Sequence, residues 1–333
     1  MDNFFKIYTP EQLRAHVAIR QGETKIGESL QTVRQLNDLK TTPAKYVLFG
    51  IPEDIGVRAN SGVAGTSKAW SSFLNSFLNM QSNQFLKGDN LVVLGEIDCD
   101  DEMEQASALT PSSADYFEKL GRLVNQIDTK VNVVVQKIVS EGKIPIVIGG
   151  GHNNSYGNIK GSSQALQRPI HVINFDVHTD FRALEHRHSG NGFSYAYHEG
   201  FLEKYYIFGL HKNYTSEAVF TTLEKEHNTI KYCFFEAIAI DKKMAFDNAL
   251  RDAQAFVCDT HFGVEIDLDA VQNISSSAMT PTGFSVNEAR HFVRHFSKQN
   301  HFSYIHFCEG IPLQDGKQLG KLLAYLVSDI IIE

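Results

Sequence analysis

The sequence predicts an α/β fold, a mostly parallel sheet with helices on both faces. Three observations carry that expectation. Eight short apolar runs, rich in β-branched and aromatic residues, lie at 46–49, 91–94, 144–148, 171–175, 205–208, 230–235, 255–266 and 302–307. Longer stretches with helical periodicity separate many of them, and strands alternating with helices form parallel pairs with both faces covered. Four of the runs end in clusters of His, Asp and Glu, and open parallel sheets bind ligands beyond the carboxyl ends of their strands.

Taken in order, residues 1–44 read as a helical extension and 45–333 as the α/β core of a single domain. Thr9-Pro10-Glu11-Gln12 supplies an N-cap, a proline at the first helical position and a capping-box glutamine. Trp70, Phe73, Leu74, Phe77 and Leu78 follow the spacing of one helix face. A long helix over 112–141 is expected to stop at Glu141-Gly142. Ser285-Val286-Asn287-Glu288 is a capping box opening another helix.

Composition narrows the function. Hydrophobic residues at 42% and charged residues at 21% are globular proportions, not those of a disordered chain. Lys+Arg is 31 against Asp+Glu 39, a formal charge of −8. That acidic balance argues against nucleic acid or an anionic membrane as a partner. Residues 1–30 lack the basic–apolar–small pattern of a leader, and the apolar stretches 144–148 and 330–332 are far too short to span a bilayer. Cys99, Cys233, Cys258 and Cys308 have no metal-motif or disulfide-framework spacing. A cytoplasmic protein with reduced thiols is the expectation.

The chemistry lies after the strands. Gly149-Gly150-Gly151-His152 follows one, Asp176-Val177-His178-Thr179-Asp180 a second, and Glu265-Ile266-Asp267-Leu268-Asp269 closes a third. Cys308-Glu309-Gly310-Ile311-Pro312 ends the last. A lone Asp-x-Asp is usually a solvated turn, and a lone histidine usually a structural one. Asp-x-His-x-Asp is more informative, because alternation on an extended segment would set Asp176, His178 and Asp180 on one side. The triple glycine lets the backbone pack closely and aim His152. Four carboxylates at one sheet end would repel each other unless divalent metals neutralise them. A mixed His/carboxylate set suits Mn²⁺, Zn²⁺ or Fe²⁺ better than Ca²⁺.

These motifs resemble those of the ureohydrolase superfamily, which comprises arginase, agmatinase and formimidoylglutamase, and the resemblance runs from about Lys45 to the C-terminus. Gly50-Ile51-Pro52-Glu53-Asp54 and Asn60-Ser61-Gly62-Val63-Ala64-Gly65-Thr66 are similar to its early loop motifs. Glu309-Gly310-Ile311-Pro312 is similar to its Glu-x-x-Pro. The resemblance implies a three-layer αβα fold with a central, mostly parallel eight-stranded sheet, a homo-oligomer (trimer or hexamer), and two Mn²⁺ per chain. His152 and Asp180 would bind one ion, His178 and Asp269 the other, and Asp176 and Asp267 would bridge both. Departures are Val63 where arginine is common, Glu265 for a frequent serine, Asn153 after His152, and no Asp-Pro after Asp269.

The loop after Asp180 bears on substrate. Ser189-Gly190-Asn191-Gly192-Phe193 resembles the Ser-Gly-x-x-Phe of formimidoylglutamases rather than the His-Gly-x-Pro of arginases and agmatinases. His188, one residue away, is a candidate replacement for the missing proton shuttle. Arg182 could grip a substrate carboxylate bidentately, or could be a surface arginine, and residues 186–188 could be a solvated loop. The favoured reaction is N-formimidoyl-L-glutamate plus water to L-glutamate and formamide. In it Asp180 would orient the nucleophile, Glu309 pair with the amidinium, and Arg182, Ser189 and Asn191 hold the glutamate end. A guanidino hydrolase releasing urea is the alternative enzyme, and a metal-stabilised scaffold without catalysis the alternative of another class.

Overall fold

The computed structural model describes residues 4–332. Nine strands form one sheet: β1 (Phe5–Ile7), β2 (Tyr46–Gly50), β3 (Leu91–Ile97), β4 (Ile144–Ile148), β5 (Ile170–Phe175), β6 (Leu202–Leu210), β7 (Ile230–Phe234), β8 (Phe262–Asp267) and β9 (Phe302–Cys308). Their spatial order is β1-β3-β2-β4-β9-β8-β5-β6-β7. All pairs are parallel except β1 with β3. The helices are α1 (Pro10–Arg14), α2 (Ile55–Ala59), α3 (Ala69–Phe77), α4 (Asp100–Ser107), α5 (Tyr116–Ser140) and α6 (Ser155–Leu166). They continue with α7 (Gly192–His198), α8 (Glu217–Lys225), α9 (Phe246–Val257), α10 (Val286–Phe296) and α11 (Lys317–Ile331).

Strand alternation divides the core into two layers. Ile146, Ile148, Ile173 and Phe175 face α3, α9, α10 and α11, whose Trp70, Phe73, Leu250, Phe292 and Leu323 pack against them. Val47, Phe49 and Val147 face α2 and α5, through Ile55, Ile127 and Val131. Val172, Tyr205 and Ile207 meet Ile159 of α6 and Phe193 of α7. Strands covered on both faces are apolar at successive positions, which is why the sequence shows runs rather than alternation.

Three expectations need correction. The sheet has nine strands, not eight, because Phe5–Ile7 adds an antiparallel edge strand against Gly95–Ile97. The described part of the 1–44 extension (residues 1–3 lie outside it) is not mainly helical. It contains β1, the five-residue α1 and two 3-10 turns, although the Thr9–Gln12 capping box forms as expected. Run 255–266 is the end of α9 followed by β8, since an apolar run alone cannot tell a helix terminus from a strand. The Gly142 stop (φ +70°) and the Ser285–Glu288 capping box are as expected.

Strand order positions the site. β4, β9, β8 and β5 are the four central neighbours, so motifs separated by up to 157 residues end side by side.

Candidate metal centre

After β4 the chain turns through Gly149 (φ +90°) and Gly150 (φ +73°). A Cβ on Gly150 would lie 2.4 Å from Asn154 Nδ2 and 2.8 Å from Glu53 Oε1. The glycines thus let the turn close on buried Glu53, which accepts from the Gly151 N–H at 2.8 Å and from Asn154 Nδ2 at 2.7 Å. His152 emerges fully buried at the centre of the sheet end.

Its Nδ1 lies 2.8 Å from Asp180 Oδ2, 3.1 Å from Asp267 Oδ2 and 3.4 Å from Asp176 Oδ2. One ligand atom from each of these four residues falls within 4.8 Å of the others. His178 and Asp269 lie beside this group, with His178 Nδ1 3.5 Å from Asp176 Oδ1 and 3.9 Å from Asp269 Oδ2. All six residues named from the sequence therefore converge, though not by strand alternation. Asp176 Oδ1 accepts from the His178 N–H at 2.8 Å, and Asp267 Oδ1 accepts from the Asp269 N–H at 2.7 Å. Both motifs fold as Asx turns beyond their strands, leaving the second carboxylate oxygen of each leading Asp for the cluster. Asp180 and Glu309 hold positive φ, +42° and +64°, costly for residues with a Cβ.

The electrostatics of the cluster suit a bound cation. Burial pushes Asp267 and Asp180 up, with neighbouring carboxylates adding to it, and burial also raises Asp269. Asp176 moves the other way: against burial, His152 and His178 hold it below the usual carboxylate range. His178 is driven up to about 10, because the surrounding aspartates outweigh its desolvation. Raised carboxyls beside a raised imidazole mark a place that favours added positive charge.

A cleft of about 520 Å³ opens onto this cluster, lined by His178, Asp180, Asp267, Asp269 and Glu309 on the inner side. Asn60, Val63, Arg182, Ser189 and Tyr214 line its outer part. Glu309 Oε1 accepts from the His152 N–H at 2.6 Å, while Oε2 is buried with no hydrogen-bond partner among the described residues. Burial, then the charge of Asp269, pushes Glu309 up to about 8. Arg182 is half-exposed; its guanidinium donates to Asn60 Oδ1 at 2.5 Å and Glu185 Oε1 at 3.0 Å.

Residues 44–332 match the arginase family. The chain belongs to that family. Among its curated relatives, the formimidoylglutamase of Chromobacterium violaceum is 27% identical over 183 residues, covering 54% of this chain and 52% of the relative. The chain thus spans about half the length of such relatives. A crystal structure of Trypanosoma cruzi formiminoglutamase with Mn²⁺ has a TM-score of 0.73 at 20% identity, covering 93% of this chain and 98% of that one. The formimidoylglutamase of Bacillus subtilis has a TM-score of 0.75 at 16% identity, covering 94% and 93%. At these identities the structural likenesses establish the arginase-like α/β fold.

Two residues expected at the site of this family member are not presented to its cleft. His188 is buried, with Nδ1 accepting from the Gly190 N–H at 3.0 Å and Nε2 at 3.0 Å from Glu185 Oε1. Burial pulls its pKa down to about 4, only partly opposed by Glu185. It caps the loop and does not line the cleft that opens onto the cluster. Asn191 is also buried; its amide donates to the His186 carbonyl and its oxygen accepts from the His188 N–H and from Arg187. Ser189 does line the cleft, its hydroxyl accepting from Asn60 Nδ2 at 3.1 Å.

Nor is the 186–188 segment a solvated loop. Arg187 is 2% exposed, pairs with buried Asp128 of α5 at 3.0 Å and donates to the Asn153 carbonyl. Several supporting residues went unassigned in the sequence. Asn174 donates to Asp176 Oδ2 and to the Tyr205 hydroxyl, and nothing in its strand marks it. Asn60 and Glu53 lie within quoted family motifs, so their positions were visible although their roles were not.

Proposed function

We propose that this chain hydrolyses an amidine C–N bond at a two-Mn²⁺ centre, converting N-formimidoyl-L-glutamate and water to L-glutamate and formamide. One observation carries the reading: the buried, unpartnered Glu309 Oε2 and the Arg182 guanidinium line the same cleft as the His/Asp cluster. An amidinium at one end and carboxylates at the other match that polarity. The formimidoylglutamase relatives support the substrate class.

The donor set fits two divalent ions. His152, Asp180, Asp176 and Asp267 would hold one, and His178, Asp269 and the same two bridging aspartates the other. Bound there, the ions would supply a water acidic enough to attack at neutral pH. Asp180 orients the attacking water and takes its proton. Glu309 holds the amidinium, so that the carbon faces the attack. Arg182 engages a glutamate carboxylate, and Ser189 and Asn60 set the loop around it. After addition, Asp180 returns the proton to the departing amine nitrogen, and glutamate leaves. With His188 turned into the loop, this carboxylate carries the proton both ways.

The deciding experiment assays Mn²⁺-loaded protein on N-formimidoyl-L-glutamate and on L-arginine and agmatine. Formamide from the first is expected. Urea from a guanidino substrate without formamide overturns the reading in favour of the guanidino hydrolase, and two bound ions without turnover favour the scaffold.

Arg182→Ala tests the carboxylate contact. A charge-assisted bond made equally in ground and transition states predicts a KM raised on the order of tenfold with little change in kcat. Steady-state kinetics checks it; a fall in kcat at constant KM refutes the assignment.

A further inference from the structure

Behind the cluster, on the side away from the cleft, His152 Nε2 is buried without a hydrogen-bond partner among the described residues. Its Nδ1 faces Asp180, Asp267 and Asp176. A histidine that ligates a metal through Nδ1 must carry its proton on Nε2, and that N–H needs an acceptor in a dry interior. The neighbours there are Glu265 and Cys308, whose ligand atoms lie with that of His152 within 4.8 Å of one another. Thiol sulfur is a weak acceptor. Glu265 Oε2 lies 3.6 Å from Nε2, just beyond hydrogen-bond reach.

Glu265 is held there by a purpose-shaped patch of sheet. It precedes Asp267 by two residues on β8, so the two share a face. Its cross-strand partner on β9 is His306, and Tyr304 sits opposite Gly263. A Cβ on Gly263 would lie 2.0 Å from the Tyr304 ring, so this glycine makes room for the tyrosine. The Tyr304 hydroxyl then donates to Glu265 Oε1 at 2.8 Å. His306 Nε2 donates to the Gly149 carbonyl at 3.1 Å, and its Nδ1 lies 2.6 Å from Glu265 Oε2. Glu265, His306, Tyr304 and His152 are all fully buried. A buried carboxylate is expensive unless satisfied, and this one is braced on two sides while its Oε2 still faces the imidazole.

The geometry points to Glu265 as a positioning residue that accepts the Nε2–H of His152 and so fixes the tautomer and basicity of that ligand. The inference rests on the two-ion reading above. Carboxylate partners of metal-bound histidines typically change metal affinity by about 10–100-fold.

The test titrates Mn²⁺ into metal-free parent, Glu265→Gln and Glu265→Leu proteins, with calorimetry for affinity and electron paramagnetic resonance for coupling between the ions. Glutamine keeps an acceptor but loses the charge, so one binding step should weaken about tenfold. Leucine removes the acceptor, and the same step should weaken roughly 100-fold. The affected step must be the one that His152→Ala abolishes. Circular dichroism of the metal-free variants reports folding; if the leucine protein does not fold, Glu265→Gln decides. Both steps within about threefold of the parent in Glu265→Gln overturns the inference, as does equal weakening of both. A parent that takes up no Mn²⁺ sinks the metal reading itself, whereas a two-ion parent with an indifferent Glu265→Gln sinks only this role.

Discussion

Asp267→Ala is expected to lose most bound metal and to reduce kcat/KM on the order of 10³-fold or more, beyond the 10–100-fold typical of groups that only support a ligand. The side chain has two tasks. Oδ2 stands 3.1 Å from His152 Nδ1 inside the cluster, and Oδ1 accepts the Asp269 N–H at 2.7 Å. Alanine removes both the central oxygen and the turn that aims Asp269. Asp267→Asn separates them, because its amide oxygen can still accept the Asp269 N–H. It should keep the turn yet remain severely impaired, since on the proposed reading Asp267 would supply an anionic oxygen to both ions. Loss through unfolding is distinguishable. Asp267 is fully buried and pushed well up by burial and by Asp269 and Asp176; asparagine keeps its volume and the turn without the charge, so metal-free Asp267→Asn should melt no lower than the metal-free parent. Elemental analysis, amidine hydrolysis and thermal melts check the three claims together. Full metal content with parental activity in either variant would refute the role.

The residue types needed for the cluster were legible because each sits directly after an apolar run that became a central strand. Their convergence depends on the order β4-β9-β8-β5, which the sequence does not state; the family resemblance supplied the ligand set without the order. Alternation was the wrong physical reason for Asp176, His178 and Asp180, since backbone N–H groups captured by Asp176 and Asp267 bend both segments away from extended geometry. His188 shows the other limit. A histidine beside the right loop position looks like a shuttle, but two local partners, the Gly190 N–H and Glu185, turn it inward. Arg187 looked solvated because its partner, Asp128, lies 59 residues away on α5. Edge strand β1 has only three residues, too few for a periodic signal.

Metal-free protein is expected to lose thermal stability as pH rises from 6.5 to 8, whereas the Mn²⁺-loaded protein should stay nearly level. Glu309 is raised from its ordinary 4.5 to about 8, by burial first and then by Asp269. Asp267, Asp180 and Asp269 are raised as well. A carboxyl with a raised pKa in the fold binds its proton more tightly folded than unfolded, so stability falls while pH rises between the two values. For Glu309 that window runs from 4.5 to about 8. His178, raised from 6.5 to about 10 by Asp176 and its neighbours against burial, stabilises fully below 6.5 and loses that contribution as pH climbs through 10. Its sign is therefore the same. Asp176 is depressed below its ordinary 3.8; its contribution is complete above that value and fades only in stronger acid. Asp128, which burial raises to about 6 despite Arg187, adds to the fall in the lower part of the window. The contributions of the cluster that change between pH 5 and 8 thus agree in direction, while His188, which burial lowers to about 4, and His211, His261 and His295, which burial also lowers, act oppositely and only below their ordinary 6.5; a drop of roughly 5 °C or more is therefore expected for the metal-free protein between pH 6.5 and 8. On the two-ion reading, divalent ions would supply the positive charge that these carboxylates favour, so loading should remove the slope and widen the gap in melting temperature with pH, beyond the general stabilisation by a ligand of the native state. Melts of chelated and reloaded protein at pH 5, 6, 7 and 8 measure both curves. Parallel curves, or a metal-free melting temperature that rises between pH 6.5 and 8, would count against these carboxylates as a cation site.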